Sequence, residues 1–303
     1  MRAAVLTRVD GPFEVRDVPD PVGGEKVLVR VRAAGINFAD VLVRRGRYPQ
    51  MPELPAVLGS EIAGELEDGT RVMAFTSGGG GYAELAAVER AQVVPLPDGA
   101  TFAQGASFLL TFLTAYIPLT RQVRVRPGTT VLVYAAAGGV GTATIQVARA
   151  LGARVVAAVG SAEKLDVCRE LGAAEAYVYA DLPDELQVDV VVDPVGGELF
   201  AGSFARLRPL GAVVAIGSAA GAWTDVEPAR LVGRNVGLYG FYLGRLLRLD
   251  PELVGTAVGE LLGLWQTGGL RPLVGAELPL DEVERAHELV ESRQSVGKVV
   301  LVP

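Results

Sequence analysis

Cysteine and histidine are almost missing from this chain of 303 residues: Cys168 and His287 stand alone. A disulfide within the chain is excluded by that count. A structural zinc site of four Cys/His ligands is excluded in the same way, and a catalytic zinc site of ordinary ligand set nearly so. A Ser–His or Cys–His mechanism would have to use His287. It sits in DEVERAHELVES, where Val283, His287 and Val290 share one face of a helical pattern, so the spacing reads it as a packing histidine. The chemistry expected of this chain therefore proceeds without metal and without histidine.

Lysine is scarce too: positions 26, 164 and 298 are the only three among 28 basic residues. The formal net charge is −7. Without a basic run or an aromatic stacking motif, nucleic acid is not an expected partner, because phosphate binding needs concentrated positive charge. No apolar segment reads as long and unbroken enough to span a membrane. The opening MRAAVLTRVDGPFEV has neither an apolar core nor a cleavage site of a secretory signal. The expectation is a cytoplasmic protein with a small-molecule partner.

What is present divides the chain by texture. The first third reads as short strands and turns: VLVRVRAAGI (27–36) alternates apolar and polar residues, RVMAF (71–75) and VVPLP (93–97) resemble it, and glycine and proline separate them. From about residue 129, nearly all-apolar strands alternate with helices: TVLVY, RVVAAV, AYVY, VDVVVD and AVVAIG. That alternation predicts a parallel sheet covered on both faces, a doubly wound α/β domain. The flanking pieces belong most simply to one other, mostly β domain, with ligands expected where two such halves meet. The expected boundaries are 1–115 for the mostly β domain, 116–250 for the doubly wound domain and 251–303 for the return to the first.

Between TVLVY and the helix TATIQVARALG lies the turn AAAGGVG. It fits the dinucleotide fingerprint with its first glycine replaced: Ala136, Gly138, Gly141. Gly138 lets the backbone approach a pyrophosphate, Gly141 lets the helix pack closely on the strand, and the free N–H groups of the first helical turn, Gly139 and Val140 included, bind the anion. The end of the second strand chooses the cofactor. An NAD site usually places an acid there, whereas RVVAAV runs into Gly160-Ser161-Ala162-Glu163-Lys164 with none at the strand end itself. Lys164 is placed to meet a 2′-phosphate; the competing reading makes Lys164 a solvated helix residue and Glu163 the ribose acid. NADP(H) is the expected cofactor.

Eight motifs in order, from AAGINFADVLVRRGRYP (33–49), LGSEIAGEL (58–66), GGYAELAAV (80–88) and LTAY (113–116) through VLVYAAAGGVGTATIQVARALGA (131–153), DVVVDPVGG (189–197) and AIGSAAG (215–221) to GKVVLVP (297–303), carry a resemblance over essentially the whole chain. It resembles the zinc-free, zeta-crystallin-like quinone oxidoreductases of the medium-chain dehydrogenase/reductase superfamily. The resemblance implies a Rossmann domain inserted into a mostly β, GroES-like catalytic domain. Zinc-dependent relatives carry cysteine where this chain has Asn37 and histidine where it has Ser60, and they have a cysteine-rich lobe that is missing here. It also implies contacts. Gly160, Lys164, Tyr179 and Arg293 match positions around the adenosine 2′-phosphate; Thr114 faces the cofactor; Gly217, Ser218 and the segment Phe241-Tyr242-Leu243 line the nicotinamide ribose and ring. For Phe241 and Leu243, core packing is the equal alternative.

Hydride transfer is the cofactor's own chemistry, and a quinone gains negative charge on oxygen as hydride arrives, so donors aimed at that oxygen lower the barrier. The candidates in NFADVLVRRGRY are Asn37, whose amide donates, and Tyr48, whose phenol donates or relays a proton. Asp40, three residues after Asn37, either takes part or orients and caps its neighbours. Some relatives have a tyrosine where this chain has Leu42, which makes the pocket more apolar. The reaction expected is reduction of quinones by NADPH. Its competitors are reduction of an alkenal or enoyl double bond and a nucleotide-binding structural protein with little turnover. Relatives form homodimers or larger homo-oligomers, and residues 210–243 are an apolar segment suited to such an edge.

Overall fold

Val27–Ile36 shows how the first unit is built. Its side chains alternate between buried and exposed at the start and are continuously buried from Ala33 onward, as a strand must when it runs from a sheet's solvated margin into its core. The computed structural model describes residues 1–221 and 223–303. They form two compact units, Met1–Leu110 with Pro272–Pro303, and Thr111–Arg271.

The strands, in chain order, are β1 (Arg2–Leu6), β2 (Phe13–Asp17), β3 (Val27–Ile36), β4 (Ala56–Val57), β5 (Glu61–Glu65), β6 (Arg71–Phe75), β7 (Leu85–Val88) and β8 (Val93–Pro95) in the first unit. The second unit carries β9 (Thr130–Tyr134), β10 (Arg154–Val159), β11 (Glu175–Val178), β12 (Val188–Asp193), β13 (Leu207–Ala215) and β14 (Gly237–Gly240). After it the chain returns with β15 (Val274–Pro279) and β16 (Lys298–Val302). In the first unit β2, β1 and β4 form one antiparallel sheet, and β15-β16-β3-β5-β6-β8, with β7 on β3, form a seven-stranded one. The last strand thus lies against the third: Val299 faces Ile36 and Val300 faces Gly35. This unit is mostly β, as its sequence texture predicts.

The second unit is a six-stranded parallel sheet of order β11-β10-β9-β12-β13-β14. That is the doubly wound order in which the chain reverses direction across the sheet between its first and fourth strands. Its core gathers Leu132, Tyr134, Val156, Val191, Phe200 and Phe204. The unit is inserted between Leu110 and Pro272 of the other. The divisions therefore fall at 110/111 and 271/272 rather than at 115/116 and 250/251. Helix Pro251–Gln266 stays with the sheet unit, where Glu260 accepts from Arg121 at 2.6 Å; its amphipathic pattern does not say which unit it joins.

The helical run Phe102–Gln122, 21 residues, is by length and composition able to cross a membrane, contrary to the reading of the sequence; 83% of its most apolar window is buried inside the protein. The described residues contain no other such helix.

His287 is fully buried on helix Val283–Glu291. Its ring lies 4.7 Å from that of Phe13 and 5.8 Å from that of Tyr82, and neither nitrogen has a hydrogen-bond partner among the described residues. Burial first, then Arg44 and Arg45, push its pKa down to about 3. A histidine whose folded pKa is depressed stabilises the fold above its unfolded pKa and loses that contribution as pH falls toward the folded value. His287→Leu should match or exceed wild-type stability at pH 7.5, since it removes two unsatisfied buried groups. In urea unfolding, the stability lost between pH 7.5 and pH 4.5 should shrink by about 2–3 kcal/mol in the variant. An unchanged loss would mean that His287 titrates normally.

Candidate functional site

Every strand of the second unit points the same way, so the segments that follow them gather at one carboxyl edge. After β9 comes the turn Ala135–Gly138 and then helix Gly139–Ala150. Only Ala135 in this turn takes a left-handed conformation, φ 47°. Ala136, where the fingerprint has its first glycine, is not among the positive-φ residues, so a methyl group is tolerated there. Its N–H donates to Ala158 on β10 at 3.2 Å, which ties the turn to the neighbouring strand.

The two remaining glycines are required for different reasons. A Cβ on Gly141 would lie 2.2 Å from the carbonyl oxygen of Ala135 and 2.7 Å from the backbone of Ala136, so only glycine lets the helix approach. A Cβ on Gly138 would meet only the Ala135 oxygen, at 3.3 Å. Gly138 is the N-cap, and its side chain position opens away from the protein. The N–H groups of Gly139, Val140 and Gly141 have no acceptor within the helix. The turn is thus shaped to bring backbone donors to an anion.

Beside it, Gly160 and Ser161 follow β10 and Tyr179 follows β11. The Tyr179 hydroxyl accepts from Ala135 N–H at 3.1 Å, and its ring approaches the Cβ position of Gly160 at 3.8 Å. Lys164 is half-buried, and burial pushes its pKa below the usual lysine range. Glu163 is exposed and accepts from the Ser161 hydroxyl at 2.7 Å. Gly160, Ser161, Lys164 and Tyr179 therefore share one end of the sheet with the glycine turn. At the end of β12, Asp193 accepts from Val195 and Gly196 N–H at 2.6 and 3.0 Å. The loop carrying Gly217 and Ser218 is laced to that segment through Ala219 N–H on the Pro194 oxygen at 3.1 Å. Phe241 is half-buried after β14, Leu243 is buried at the start of helix Leu243–Leu249, and Thr114 is half-buried on helix Leu109–Ile117. Burial of Leu243 favours its packing role. Arg293 belongs to the other unit, exposed just after helix Val283–Glu291 at φ 60°.

The first unit holds a buried polar cluster of its own. Asn37 follows β3 and caps helix Phe38–Arg44 at 6% exposure. Its backbone N–H donates to the Asp40 carboxylate at 2.8 Å, and the Asp40 N–H donates to its backbone oxygen at 2.9 Å. The Asn37 amide side chain turns instead to Lys298, whose Nζ donates to Asn37 Oδ1 at 2.5 Å and to Glu61 Oε2 at 2.8 Å. Glu61 Oε1 accepts from Leu110 N–H at 2.9 Å. Asp40 also accepts from the Tyr82 hydroxyl at 3.1 Å. Burial raises the Asp40 carboxyl to about 6, against the lowering effects of the Asn37 N–H, Lys298 and Tyr82. Its observed bonds orient Asn37 and Tyr82. Tyr48 lies after the helix, half-buried against the core of this unit, and Leu42 is half-buried on the helix.

Lys298, Glu61 and Tyr82 were not singled out as site residues by sequence reasoning. Lys298 and Glu61 each open an apolar strand, KVVLV and EIAGE, where a charge reads as a solvated strand end, so the sequence carries no signal for their pairing.

Two family models match the chain. The one described as "Alcohol dehydrogenase GroES-like domain" matches residues 23–98, and the one described as "Zinc-binding dehydrogenase" matches residues 139–258. The chain is similar to the quinone oxidoreductase of Pseudomonas aeruginosa, 35% identical over 317 residues that cover 96% of this chain and 95% of that protein. Among solved structures it is similar to the quinone oxidoreductase of Thermus thermophilus, studied alone and with NADPH, at a TM-score of 0.94 and 41% identity over the whole of both chains. Escherichia coli quinone oxidoreductase complexed with NADPH gives a TM-score of 0.89 and 29% identity, covering 100% of this chain and 99% of that one.

The second family description raises zinc, and the side chains present do not fit it. His287 lies between aromatic rings, and Cys168 is buried with its thiol pushed up to about 11 by desolvation. Among the described residues no group of three or more His, Cys, Asp or Glu could hold a metal ion. At position 37, an asparagine amide is paired with an ammonium group.

Proposed function

The chain belongs to the quinone oxidoreductase-like branch of the medium-chain dehydrogenase/reductase superfamily, and from that premise we propose that it uses NADPH to reduce quinones by hydride transfer, without a metal. The observation that carries this reading is the turn Ala135–Gly141 at the carboxyl edge of the parallel sheet, with space at Gly138 and the first N–H groups of the helix beyond the reach of an intrahelical acceptor. When bound, the nicotinamide supplies hydride. The chain's residues bind and orient. Gly138 to Gly141 hold the pyrophosphate. Lys164 and Tyr179 take the 2′-phosphate, where a cation and a phenol suit a dianion. Thr114, Ser161, Gly217, Ser218 and Phe241 position the remainder.

Asn37 donates to the acceptor oxygen as negative charge develops there, and Tyr48 supplies a second donor. Asp40 holds the backbone of Asn37. Leu42, half-buried and apolar, favours a second reading in the same chemistry, reduction of a conjugated alkenal. The comparison of kcat/KM for 1,4-benzoquinone and a 2-alkenal separates them: the quinone should be preferred, and a preference for the alkenal overturns the quinone assignment. In the same assay Tyr48→Phe should lower turnover less than about tenfold, because hydride transfer to a quinone needs little proton help; a loss of about 100-fold would make Tyr48 the general acid.

A homodimer belongs to this proposal. The edge strand β14 exposes Leu238 and Tyr239, with Leu210 and Val232 exposed nearby in sequence, and a bare apolar edge is suited to pairing with a second copy. A cytoplasmic location is part of the same reading.

A further inference from the structure

Lys298 carries a charge in a place where a charge is costly. It is 3% exposed, Glu61 is fully buried, and each would be strongly destabilising alone. Gly35, on the neighbouring strand β3, has no Cβ; one placed there would lie 2.0 Å from the Ala106 backbone oxygen and 2.8 Å from Lys298 Cε, so the glycine admits the Ala106 backbone first and the lysine stem beside it. Glu61 is held in turn by Leu110 N–H, so carboxylate, ammonium and amide form one line: Glu61, Lys298, Asn37.

The end of that line has a defined polarity. With Oδ1 of Asn37 on an ammonium group, a flip of the amide would set NH2 against NH3+, so the flipped state is excluded. Nδ2 makes one long bond, to the Gly35 oxygen at 3.4 Å. A cation on the amide oxygen also draws electron density from nitrogen and strengthens its N–H as a donor. We infer that Lys298 is a positioning residue for the reduction: through Glu61 and Asn37 Oδ1 it fixes and polarises the Asn37 amide so that Nδ2, never Oδ1, faces the acceptor oxygen. This rests on the reading above in which Asn37 donates to that oxygen.

The test uses the full-length protein. Removing Lys298 alone leaves Glu61 buried and unpaired, so the informative variant is Lys298→Met with Glu61→Gln. It is measured with Asn37→Ala, and with all three changes together, for kcat and KM with 1,4-benzoquinone and for NADPH affinity by calorimetry. The double variant should bind NADPH within about twofold of wild type and lose about tenfold or more in kcat; in the Asn37→Ala background the same two changes should cost less than about twofold. A double variant within about twofold of wild type in kcat, or losses that multiply with Asn37→Ala, would overturn the inference. An Asn37→Ala protein of full activity would overturn it together with the donor role of Asn37. A second readout needs no turnover and no quinone. The Asn37 side-chain NH2 resonances in 15N-labelled protein, assigned by their loss in Asn37→Asp, should shift in the double variant and stay near place in Lys298→Arg. Resonances that do not move in the double variant would overturn the inference even if the protein reduces no quinone, and a shift without quinone turnover would leave the amide placement standing while the quinone reading fails.

Discussion

Gly141→Ala is expected to cost this protein both its cofactor and part of its stability. The added Cβ would stand 2.2 Å from a backbone oxygen and 2.7 Å from backbone carbons, and no flexible side chain is there to yield. Helix Gly139–Ala150 must move outward, which separates Ile145 and Val147 from the core they are buried in. A loss of about 2–4 kcal/mol follows, seen as a fall of about 5–10 °C in Tm of the free protein. The displaced N–H groups should weaken NADPH binding by about 100-fold. Gly138→Ala separates the two effects. Its Cβ meets one backbone oxygen at 3.3 Å, a tight contact, and nothing else within 4 Å, so Tm should fall by much less than in Gly141→Ala while NADPH affinity falls by about tenfold or more. Equal Tm and equal affinity in Gly141→Ala would show that the turn is not built as described.

Lys164→Ala should weaken NADPH binding by about 10- to 100-fold and leave NADH binding unchanged, the scale of one charge-assisted bond to a 2′-phosphate. Lys164 is half-buried at the same sheet edge as Gly160 and Tyr179, and burial of its ammonium disfavours the charged form until an anion arrives. The neighbouring acid is differently placed: Glu163 is exposed and takes the Ser161 hydroxyl. Lys164→Glu should therefore reverse the preference between the two nucleotides. Parallel losses for NADPH and NADH would assign Lys164 a general structural role and return Glu163 to consideration as the ribose acid.

The parts of this protein that were legible in its sequence are those whose signal is local. The glycine turn, the strand before it and the helix after it are contiguous, so their periodicity and their glycines announce them together; the helix, read as TATIQVARALG, spans Gly139–Ala150. Continuous apolar runs likewise identify β9, β10 and β12. The charged line Glu61–Lys298–Asn37 escaped because it closes over 261 residues of chain and depends on β16 lying against β3. No window of sequence contains it. Short pieces escape for another reason: β14, GLYG, is four residues long, two of them glycine, and takes its strand form from β13 alongside. Phe102–Gln122 shows the limit of composition, since its apolar character serves burial.

The central claim, a reductase that takes hydride from NADPH without a metal, is tested most directly by the oxidation of NADPH by 1,4-benzoquinone, followed by absorbance with protein exhaustively treated with a chelator. Catalysed oxidation is expected at a rate that chelation leaves unchanged, with NADPH strongly favoured over NADH. Activity lost on chelation and restored by zinc, or no oxidation above the uncatalysed rate, would contradict it.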